Sequence, residues 1–330
     1  MNEPYFWRVR DRKARASAPM TRLLLSPVAA AYAMAGQRRL DRATPEDPGV
    51  PVICVGNLTL GGAGKTPVAA DIRRRLAARG VRGATLSRGY KGELEGPTRV
   101  DPTLHTAKQV GDEPLMLASS GEAWVSKDRP AGARAMKKDG VQVVIMDDGH
   151  QNPSLKKALS IIVIDTTDPF GNGFVFPKGP LREPVRRGLT RADAVVLMGE
   201  GDAPHELDTF DRPVFRARLT AVSPPPPGRY IAFAGIGRPE RFFDSLERYE
   251  GVTLSEAVPY PDHHNFTPSD IHYLMQLSRE RDARLLTTDK DYVRLPVETR
   301  RITQRASVEA RFEDGAGLDA LLSRAADAAS

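Results

Sequence analysis

The segment NLTLGGAGKTP, residues 57–67, places three glycines, a lysine and a threonine between two runs of different character. The preceding run VPVICV is apolar throughout, which predicts a strand. In the following run VAADIRRRLAARG, Val68, Ile72 and Leu76 recur at four-residue spacing, which predicts a helix. A strand, a glycine-rich turn and a helix in this order are typical of a phosphate-binding loop. The segment therefore favours a parallel α/β sheet that carries the loop at a strand end.

The loop departs from the usual pattern G-x-x-x-x-G-K-[ST] at one position. Gly64, Lys65 and Thr66 fill its second half, whereas Thr59 stands at the first glycine position. Small residues let backbone N–H groups approach phosphate oxygens. Lys65 would bridge the β- and γ-phosphates, and Thr66 would place its hydroxyl on Mg²⁺. We expect the phosphates of ATP to be bound by Thr59, Leu60, Gly61, Gly62, Ala63, Gly64, Lys65 and Thr66.

The run VQVVIMDDG supplies the acidic group that such a loop needs for its metal. Asp147 and Asp148 follow an apolar run that predicts a buried strand, and ligands gather at the carboxyl ends of parallel strands. Adjacent side chains on a strand point in different directions. One of the two carboxylates is expected to hold Mg²⁺ while the other orients another group, and the sequence leaves open which is which.

From residue 50 to about residue 200, short apolar runs alternate with amphipathic ones. Runs that are apolar throughout predict strands buried on both faces of a parallel sheet. The fold class is therefore α/β, a P-loop NTPase-like parallel sheet with helices on both faces. The tract SPPPPG, residues 223–228, predicts a stiff linker because proline continues neither a helix nor a central strand. We predict an N-terminal segment (1–40), a P-loop domain (41–222) and a smaller α/β domain (223–330).

The composition and net charge of the chain limit the classes of partner that it is expected to bind. The chain of 330 residues has a net charge of +6, which favours an anionic partner such as nucleic acid, an anionic membrane or a phosphorylated substrate. Cys54 is the sole cysteine, so an intrachain disulfide is excluded. No uninterrupted apolar stretch reaches the length of about 18 residues that a transmembrane helix needs.

The N-terminus joins a basic region to an apolar one. It is similar to a signal peptide, but its basic region is long and Pro27 interrupts the apolar run of residues 23–35. We favour a segment on the membrane surface, with aromatic side chains at the headgroups and basic ones near anionic lipid. The aromatic residues are Tyr5, Phe6 and Trp7, and the basic ones are Arg8, Arg10, Arg12, Lys13 and Arg15. The alternative is a helix packed on the protein's own core.

Other classes of P-loop protein fit less well. Guanine-specific GTPases read the base with an N-K-x-D motif, whereas Tyr292 stands two residues after Lys290 in LLTTDKDY. The run DDGHQN also lacks the D-x-x-G pattern of a GTPase switch. An ATP-dependent motor is disfavoured because the chain has no evident arginine-finger repeat or oligomerisation module.

Eight motifs follow one another along the chain: VGNLTLGGAGKTP, LSRGYKG, VGDEPLML, VIMDDGHQN, FPKGPLREP, FAGIGRPERFF, PDHHNFTPSD and LLTTDKDYVRL. In this order, over about residues 20–300, the chain resembles tetraacyldisaccharide 4'-kinase, the lipid A 4'-kinase of Gram-negative bacteria. The resemblance implies transfer of the γ-phosphate of ATP to the 4'-hydroxyl of lipid A disaccharide 1-phosphate, giving lipid IVA. It also implies two α/β/α domains with a cleft between them, an N-terminal membrane-associating helix, and work at the cytosolic face of the inner membrane.

The resemblance also implies roles for individual residues. Asp112 of GDEP matches the family's proposed catalytic base, and the family's Asp-His pattern falls on Asp262 and His263. A histidine beside Asp112 would orient it and tune its pKa. His264 is the second choice for that histidine.

Further polar residues stand in the other motifs. Arg182, between prolines, suits a phosphate, either the transferring γ-phosphate or the 1-phosphate of the substrate. Glu183 is expected to join the metal or its hydrogen-bond network, or to form a local ion pair. Ser87, Arg88 and Tyr90 of SRGY are expected near the loop on the substrate side, and Asp289, Lys290 and Asp291 at a strand end of the smaller domain.

One motif departs from the family pattern. The family often reads DDGFQH, whereas this chain reads DDGHQN, with His150 in place of the aromatic residue and Asn152 in place of the last histidine. An asparagine forms hydrogen bonds but cannot act as a base. Gln151 remains a candidate for the polar network.

We therefore expect an ATP- and Mg²⁺-dependent lipid-sugar kinase, a monomer on the cytoplasmic face of the inner membrane, with no nucleic-acid partner. Lys65, Asp112 and His263 are its predicted catalytic residues, and Thr66, Asp147 and Asp148 its metal residues. One alternative is a P-loop kinase for a soluble small molecule, for which deleting residues 1–40 would leave activity intact. The other is a nucleotide-switch binding module, for which nucleotide binds tightly and Asp112→Ala has little effect.

Overall fold

The computed structural model of the chain describes residues 3–11 and 14–327. Within these ranges the strands form a nine-stranded and a four-stranded sheet. The strands are β1 Val52–Gly56, β2 Gly83–Ser87, β3 Thr98–Arg99, β4 Ala123–Val125, β5 Val143–Asp147, β6 Leu159–Asp165, β7 Ala194–Met198, β8 Val214–Ala221, β9 Gly228–Ala234, β10 Val252–Pro259, β11 Arg284–Thr288, β12 Thr303–Ala306 and β13 Val308–Phe312.

The helices alternate with the strands along most of the chain. They are α1 Pro19–Arg42, α2 Lys65–Ala77, α3 Ala107–Val110, α4 Asp112–Ala118, α5 Arg129–Lys138, α6 Val185–Thr190, α7 Pro239–Leu246, α8 Pro268–Glu280, α9 Asp289–Tyr292, α10 Val297–Ile302 and α11 Gly315–Asp327. Short 3₁₀ turns form at Tyr5–Trp7, Arg15–Ser17 and His205–Leu207.

The large sheet has the strand order β13-β8-β7-β6-β1-β5-β2-β4-β3. Its inner strands are parallel, and only the outermost pairs, β13 with β8 and β3 with β4, are antiparallel. All five residues of β1 are buried, because β5 and β6 flank it and helices cover both faces of the sheet. The predicted α/β class with a parallel sheet is confirmed, and the apolar runs are explained by burial on both faces.

Helices pack on both sides of the large sheet. On one face, Val68, Ile72 and Leu76 of α2 join Leu318 and Leu322 of α11 in a single core cluster with strand residues. On the other face, Ala133 and Met136 of α5 pack with Cys54 and its neighbours. The predicted four-residue apolar spacing of α2 therefore marks its buried face.

The small sheet has the order β10-β9-β11-β12 and is parallel throughout. On one face, Leu274 and Leu277 of α8 pack on Phe233 and Leu285. On the other face, Leu246 of α7 packs with Tyr230. This second sheet faces the large one across a cleft.

The chain crosses between the sheets twice. The proline tract of residues 223–227 joins β8 to β9, and Ser307 joins β12 to β13. We expected the smaller domain to extend to residue 330, but β13 pairs with β8 and α11 packs on α2. Residues 308–327 therefore belong to the large sheet. Strand β13 joins the large sheet because it pairs with β8, about 90 residues earlier in the chain. The local sequence of a strand does not specify so distant a partner.

The N-terminal helix α1 lies on the surface of the molecule. Of its side chains, Arg22 and Ala29 are buried, whereas large apolar ones are exposed: Met20, Leu23, Leu24, Val28, Tyr32 and Met34. Trp7 was expected to lie at the lipid headgroups, but the structure buries it against the protein. It is 5% exposed, packs edge-on against Phe176 and donates from Nε1 to the Pro177 carbonyl over 3.0 Å. The expected contribution of Arg12 and Lys13 lies outside the described residues.

Among residues 3–11 and 14–327, no helix combines the length and the apolarity needed to cross a membrane.

Candidate functional site

The glycine-rich loop joins the end of β1 to the start of α2. Residues 59 to 66 all line a cleft of about 1970 Å³ between the two sheets. Gly64 is the residue before α2 and has a φ of 85°, a left-handed conformation that glycine adopts without strain. Leu60 donates its N–H to the Pro180 carbonyl over 2.8 Å, and the Asn57 amide donates to Thr59 Oγ1 over 3.3 Å. The loop is thereby braced at the N-terminus of a helix, an arrangement suited to phosphates.

Asp148 lies between two cations. Lys65 Nζ is 3.5 Å from its Oδ1, and Arg182 Nη1 donates to Oδ1 and Oδ2 over 2.8 and 3.0 Å. Burial would raise the pKa of Asp148, but the charges of Lys65 and Arg182 outweigh it and lower the pKa to about 2. Asp148 is therefore an ionised carboxylate that holds the predicted phosphate-binding lysine and arginine together.

Asp147 has the opposite surroundings. It is 2% exposed, and the Thr66 hydroxyl donates to Oδ2 over 3.3 Å, whereas the buried Oδ1 has no hydrogen-bond partner among the described residues. Burial, followed by the charge of Glu113, raises its pKa to about 7. A buried carboxylate oxygen without a donor calls for a positive charge.

The pair of Asp147 and Thr66 fits Mg²⁺. In the described ranges no three His, Cys, Asp or Glu side chains are grouped to hold a metal ion. Mg²⁺ does not need such a group, since it commonly takes one or two protein oxygens and completes its shell with water and phosphate oxygens. The free Oδ1 of Asp147 and the neighbouring hydroxyl of Thr66 supply oxygens of that kind.

Asp112 and His263 come together from different sheets. Gly111, with a φ of 90°, precedes Asp112 at the start of α4, and a Cβ at Gly111 would lie 2.8 Å from the Tyr90 carbonyl oxygen. His263 Nδ1 lies 2.8 Å from Asp112 Oδ2. His263 lines the cleft, and Asp112, 6% exposed, lies behind it.

Two further cations complete this cluster. Arg294 Nε donates to Asp112 Oδ2 over 3.0 Å, and Lys290 Nζ is 3.2 Å from His263 Nε2. Burial opposes ionisation of Asp112, but the hydrogen bond from His263 and the charges of Lys290 and Arg294 hold its pKa far below the usual range. Asp112 is therefore an ionised hydrogen-bond acceptor.

The second-choice histidine lies elsewhere. His264 Nε2 is 2.9 Å from Asp270 Oδ2, and its ring stacks on Tyr260 at 4.7 Å between centroids. Asp262 lies next to the cluster, with Oδ1 3.4 Å from Lys290 Nζ. Thus His263, and not His264, contacts Asp112.

The residues of SRGY lie along the same cleft. Ser87, Arg88 and Tyr90 line it. The Tyr90 ring meets the His263 ring edge-on, with centroids 5.6 Å apart. The Ser87 hydroxyl is buried and has no hydrogen-bond partner within the described part of the chain.

Gln151 and Glu183 form a brace beside the loop. Gln151 Nε2 donates to the Asn57 carbonyl over 3.0 Å and to Glu183 Oε1 over 2.9 Å. Arg191 Nη2 donates to both Glu183 oxygens over 2.7 Å. Both Glu183 oxygens thus accept from protein groups, through the hydrogen-bond network with Gln151 and the ion pair with Arg191.

The departure in DDGHQN places a histidine in the interior. His150 is 1% exposed, with Nδ1 3.1 Å from Ser160 Oγ and Nε2 3.1 Å from the Gly188 carbonyl oxygen. Burial, followed by the charge of Arg191, lowers its pKa to about 3. Asn152 accepts from the Ser154 N–H over 2.9 Å, which closes a local turn.

The sequence did not indicate Arg294. Its side chain is 4% exposed and 182 residues from Asp112 along the chain. The motif LLTTDKDYVRL contains Arg294, two residues after the short helix α9. Its spacing from the other residues of that motif does not mark it as part of a site. Lys290 was expected at this strand end, without a partner assigned to it.

Comparisons with known proteins agree with these observations. The family model for tetraacyldisaccharide-1-P 4'-kinase (LpxK) matches residues 21–327. A curated relative from Hyphomonas neptunium, named tetraacyldisaccharide 4'-kinase, is 55% identical and covers 98% of this chain and 97% of its own. A relative of the same name from Maricaulis maris is 48% identical and covers 99% and 97%.

A solved structure is also similar. The crystal structure of LpxK from Aquifex aeolicus in complex with ATP has a TM-score of 0.72 at 26% identity and covers 92% of this chain and 99% of its own. The resemblance inferred from the eight motifs is confirmed. The chain belongs to the tetraacyldisaccharide-1-P 4'-kinase family.

Proposed function

We propose that the chain transfers the γ-phosphate of ATP to the 4'-hydroxyl of tetraacyldisaccharide 1-phosphate, the lipid A disaccharide, and so forms lipid IVA. The names of the two relatives support the acceptor, and the ATP complex of the Aquifex protein supports the donor. One observation carries the proposal: the phosphate loop and His263 line the same cleft. A phosphate donor and an acceptor hydroxyl can therefore meet there.

On the donor side, Lys65 and the loop N–H groups bind the phosphates, and Arg182 lies beside them through its bond to Asp148. We assign Asp147 and Thr66 as the protein ligands of Mg²⁺. When bound, Mg²⁺ neutralises charge on the β- and γ-phosphates. Asp148 keeps Lys65 and Arg182 at their positions.

On the acceptor side, the Asp112–His263 pair orients the 4'-hydroxyl and takes its proton. The acceptor oxygen bonds to the γ-phosphorus as the bond from that phosphorus to the β–γ bridging oxygen breaks. ADP leaves with the electron pair of that bond. The displaced hydroxyl proton goes to the pair and then to solvent.

We further propose that α1 holds the protein at the cytoplasmic face of the inner membrane, as a monomer. The exposed side chains of Met20, Leu23, Leu24 and Val28 support this assignment. Surface segments bind a bilayer through exposed apolar side chains and through nearby basic residues. The acceptor is itself a lipid, so a surface helix beside the cleft would bring the enzyme to it.

The test is an acceptor panel with γ-labelled ATP and the full-length chain. In detergent micelles, we expect label on tetraacyldisaccharide 1-phosphate and, after mild acid removal of the 1-phosphate, retention of the label at the 4' position. Label on a soluble sugar but not on the lipid would favour a small-molecule kinase. ATP binding without label on any acceptor would favour a nucleotide switch.

A further inference from the structure

The N-terminal segment brings a carboxylate to the phosphate loop. Glu3 lines the cleft together with Gly61 and Gly62 of that loop. Its Oε1 lies 2.7 Å from the position that a Cβ on Gly61 would take, so the carboxylate lies against the loop backbone. We call residues 3–8, which carry this carboxylate, the N-terminal strap. The strap therefore begins at the place where phosphates are expected to bind.

The strap is anchored at Trp7. The side chain of Trp7 is buried and packs against Phe176. The Asn172 N–H donates to the Trp7 carbonyl over 2.6 Å, and Asn172 Nδ2 donates to the carbonyl of the preceding residue over 3.1 Å. A Cβ on Gly171 would lie 2.6 Å from the Trp7 carbonyl oxygen, so a glycine at this position permits the close approach. Glu3 therefore lies a few residues from a fixed point.

The Glu3 end of the strap is held more weakly. Glu3 Oε2 accepts from Arg8 Nη2 over 3.2 Å, and Arg8 Nη1 is 4.0 Å from Glu240 Oε1 in α7. The side chains of Glu3 and Arg8 are 25% and 38% exposed. Ion pairs that water reaches contribute little to stability. The Glu3 carboxylate can therefore leave the loop while Trp7 stays in place.

A carboxylate at this position opposes the binding of phosphate. The loop N–H groups, the start of α2 and Lys65 create a positive field that attracts any anion. In the absence of nucleotide this field stabilises the Glu3 carboxylate beside the loop. ATP brings the negative charges of its phosphates to the same place, and like charges at contact distance repel each other. Glu3 must then move away, or ATP binds less tightly.

We propose that the N-terminal strap is an autoinhibitory contact, in which the Glu3 carboxylate occupies the field of the phosphate loop until the phosphates of ATP displace it. The carboxylate and the phosphates compete for one site, so each contact that keeps the strap down lowers the affinity for ATP. Trp7 strengthens the competition because it keeps Glu3 at a high effective concentration beside the loop. This role concerns ATP binding and goes beyond the proposed transfer to the acceptor.

The test is the Kd for ATP with Mg²⁺, measured by calorimetry on the full-length protein without acceptor. Glu3→Gln keeps the shape of the side chain and removes its charge, so it should lower the Kd by at least about threefold. Glu298→Gln removes an exposed carboxylate that pairs with Arg301 at 3.1 Å, and as the matched control it should bind ATP like the wild type. An unchanged or a higher Kd in Glu3→Gln would overturn the proposal.

Release of the anchor should act through the same contact. Trp7→Ala keeps the Glu3 carboxylate but lowers its effective concentration at the loop, so this variant should also bind ATP more tightly. Adding Glu3→Gln to Trp7→Ala should then change the Kd by less than Glu3→Gln does in the wild type. Additive effects of the two substitutions would show that Trp7 does not act through Glu3, which contradicts the anchored strap.

Displacement of the strap can be measured directly. Tyr5 and Leu104 are 74% and 75% exposed, and the native Cys54 is buried, so Tyr5→Cys/Leu104→Cys accepts two nitroxide labels. Electron–electron resonance should show that ATP changes the distance distribution between the labels. An unchanged distribution at saturating ATP would contradict displacement. Because none of these measurements needs an acceptor, a protein that shows the expected ATP effects but phosphorylates no lipid would refute the proposed function alone.

Discussion

Asp147 and Asp148 are neighbours at the end of β5, yet their surroundings differ. Asp148 pairs with Lys65 and Arg182, whereas none of the residues that the structure describes forms a hydrogen bond with Asp147 Oδ1. The sequence predicted the strand end and the acidic pair, because a buried strand followed by carboxylates is a local pattern. It left open which carboxylate meets the metal, because Arg182 lies 34 residues further along the chain.

Substitutions should distinguish the role of Asp147 in metal binding from the role of Asp148 in ATP binding. Asp147→Asn removes the proposed metal ligand and should raise the Mg²⁺ concentration for half-maximal activity by at least about tenfold. Asp148→Asn frees Lys65 and Arg182 and should instead raise the KM for ATP. Steady-state kinetics over a Mg²⁺ titration measure both effects. Identical Mg²⁺ dependence in Asp147→Asn and the wild type would refute the metal assignment.

His150 makes stability depend on pH. Its folded-state pKa of about 3 lies below its ordinary value of 6.5. Below pH 6.5 the unfolded chain binds a proton that the folded chain does not, so stability falls as the pH falls toward 3. Between pH 7.5 and 5.5 this histidine should cost about 1.4 kcal/mol of unfolding free energy.

Urea denaturation at the two pH values tests this effect. In His150→Phe, which restores the family's common residue, the loss of stability between pH 7.5 and 5.5 should be smaller than in the wild type by that amount. His272→Phe, at an exposed position of α8, should leave the pH dependence unchanged. An equal loss in His150→Phe and wild type would show that His150 does not carry this pH dependence.

At the scale of elements, α1 is a helix whose large apolar side chains are mostly exposed. The sequence indicated an apolar run between basic segments, but not that Trp7 would be buried against Phe176. That contact joins residues about 170 positions apart, so no local pattern reports it. The apolar run of α1 is readable from sequence, whereas the side chains that the helix leaves exposed depend on what it packs against.

The double variant Leu23→Glu/Leu24→Glu tests the role of α1. Burying one leucine in a bilayer contributes about 1.5–3 kcal/mol. The double variant should therefore bind vesicles containing anionic lipid at least about tenfold more weakly. Co-sedimentation measures the bound fraction. Leu104→Glu, at a position 75% exposed outside α1, is the control and should bind like the wild type. Undiminished binding by the double variant would exclude these leucines from membrane contact.

At the scale of the whole molecule, the chain returns to its first sheet at the end. Most strands of the large sheet were evident as apolar runs, as were the strands after the proline tract. The return of β13 and α11 was not, because both look like the next strand and helix of the smaller unit. The Asp112–His263 contact was also not evident from local sequence, because it forms only when the two sheets face each other.

Core substitutions should reveal which sheet each helix stabilises. Leu322 in α11 and Leu274 in α8 are both fully buried. Leu322→Ala should cost about 2–5 kcal/mol and lower hydrogen-exchange protection in β8 and α2. Leu274→Ala, of matched chemistry, should lower protection in β9 and β11 instead. Loss of protection confined to the small sheet in Leu322→Ala would contradict the placement of α11.

The central claim is that the Asp112–His263 pair acts on the acceptor hydroxyl while the phosphate loop holds the ATP that phosphorylates it. The most direct measurement is the kcat for transfer of labelled phosphate to tetraacyldisaccharide 1-phosphate by Asp112→Asn, with the Kd for ATP measured in parallel. The control is Asp270→Asn, which alters the neighbouring His264–Asp270 pair. We predict a kcat about 10²- to 10⁴-fold lower for Asp112→Asn, an unchanged Kd for ATP, and near-wild-type kcat for the control. Wild-type turnover by a folded Asp112→Asn protein would contradict the account.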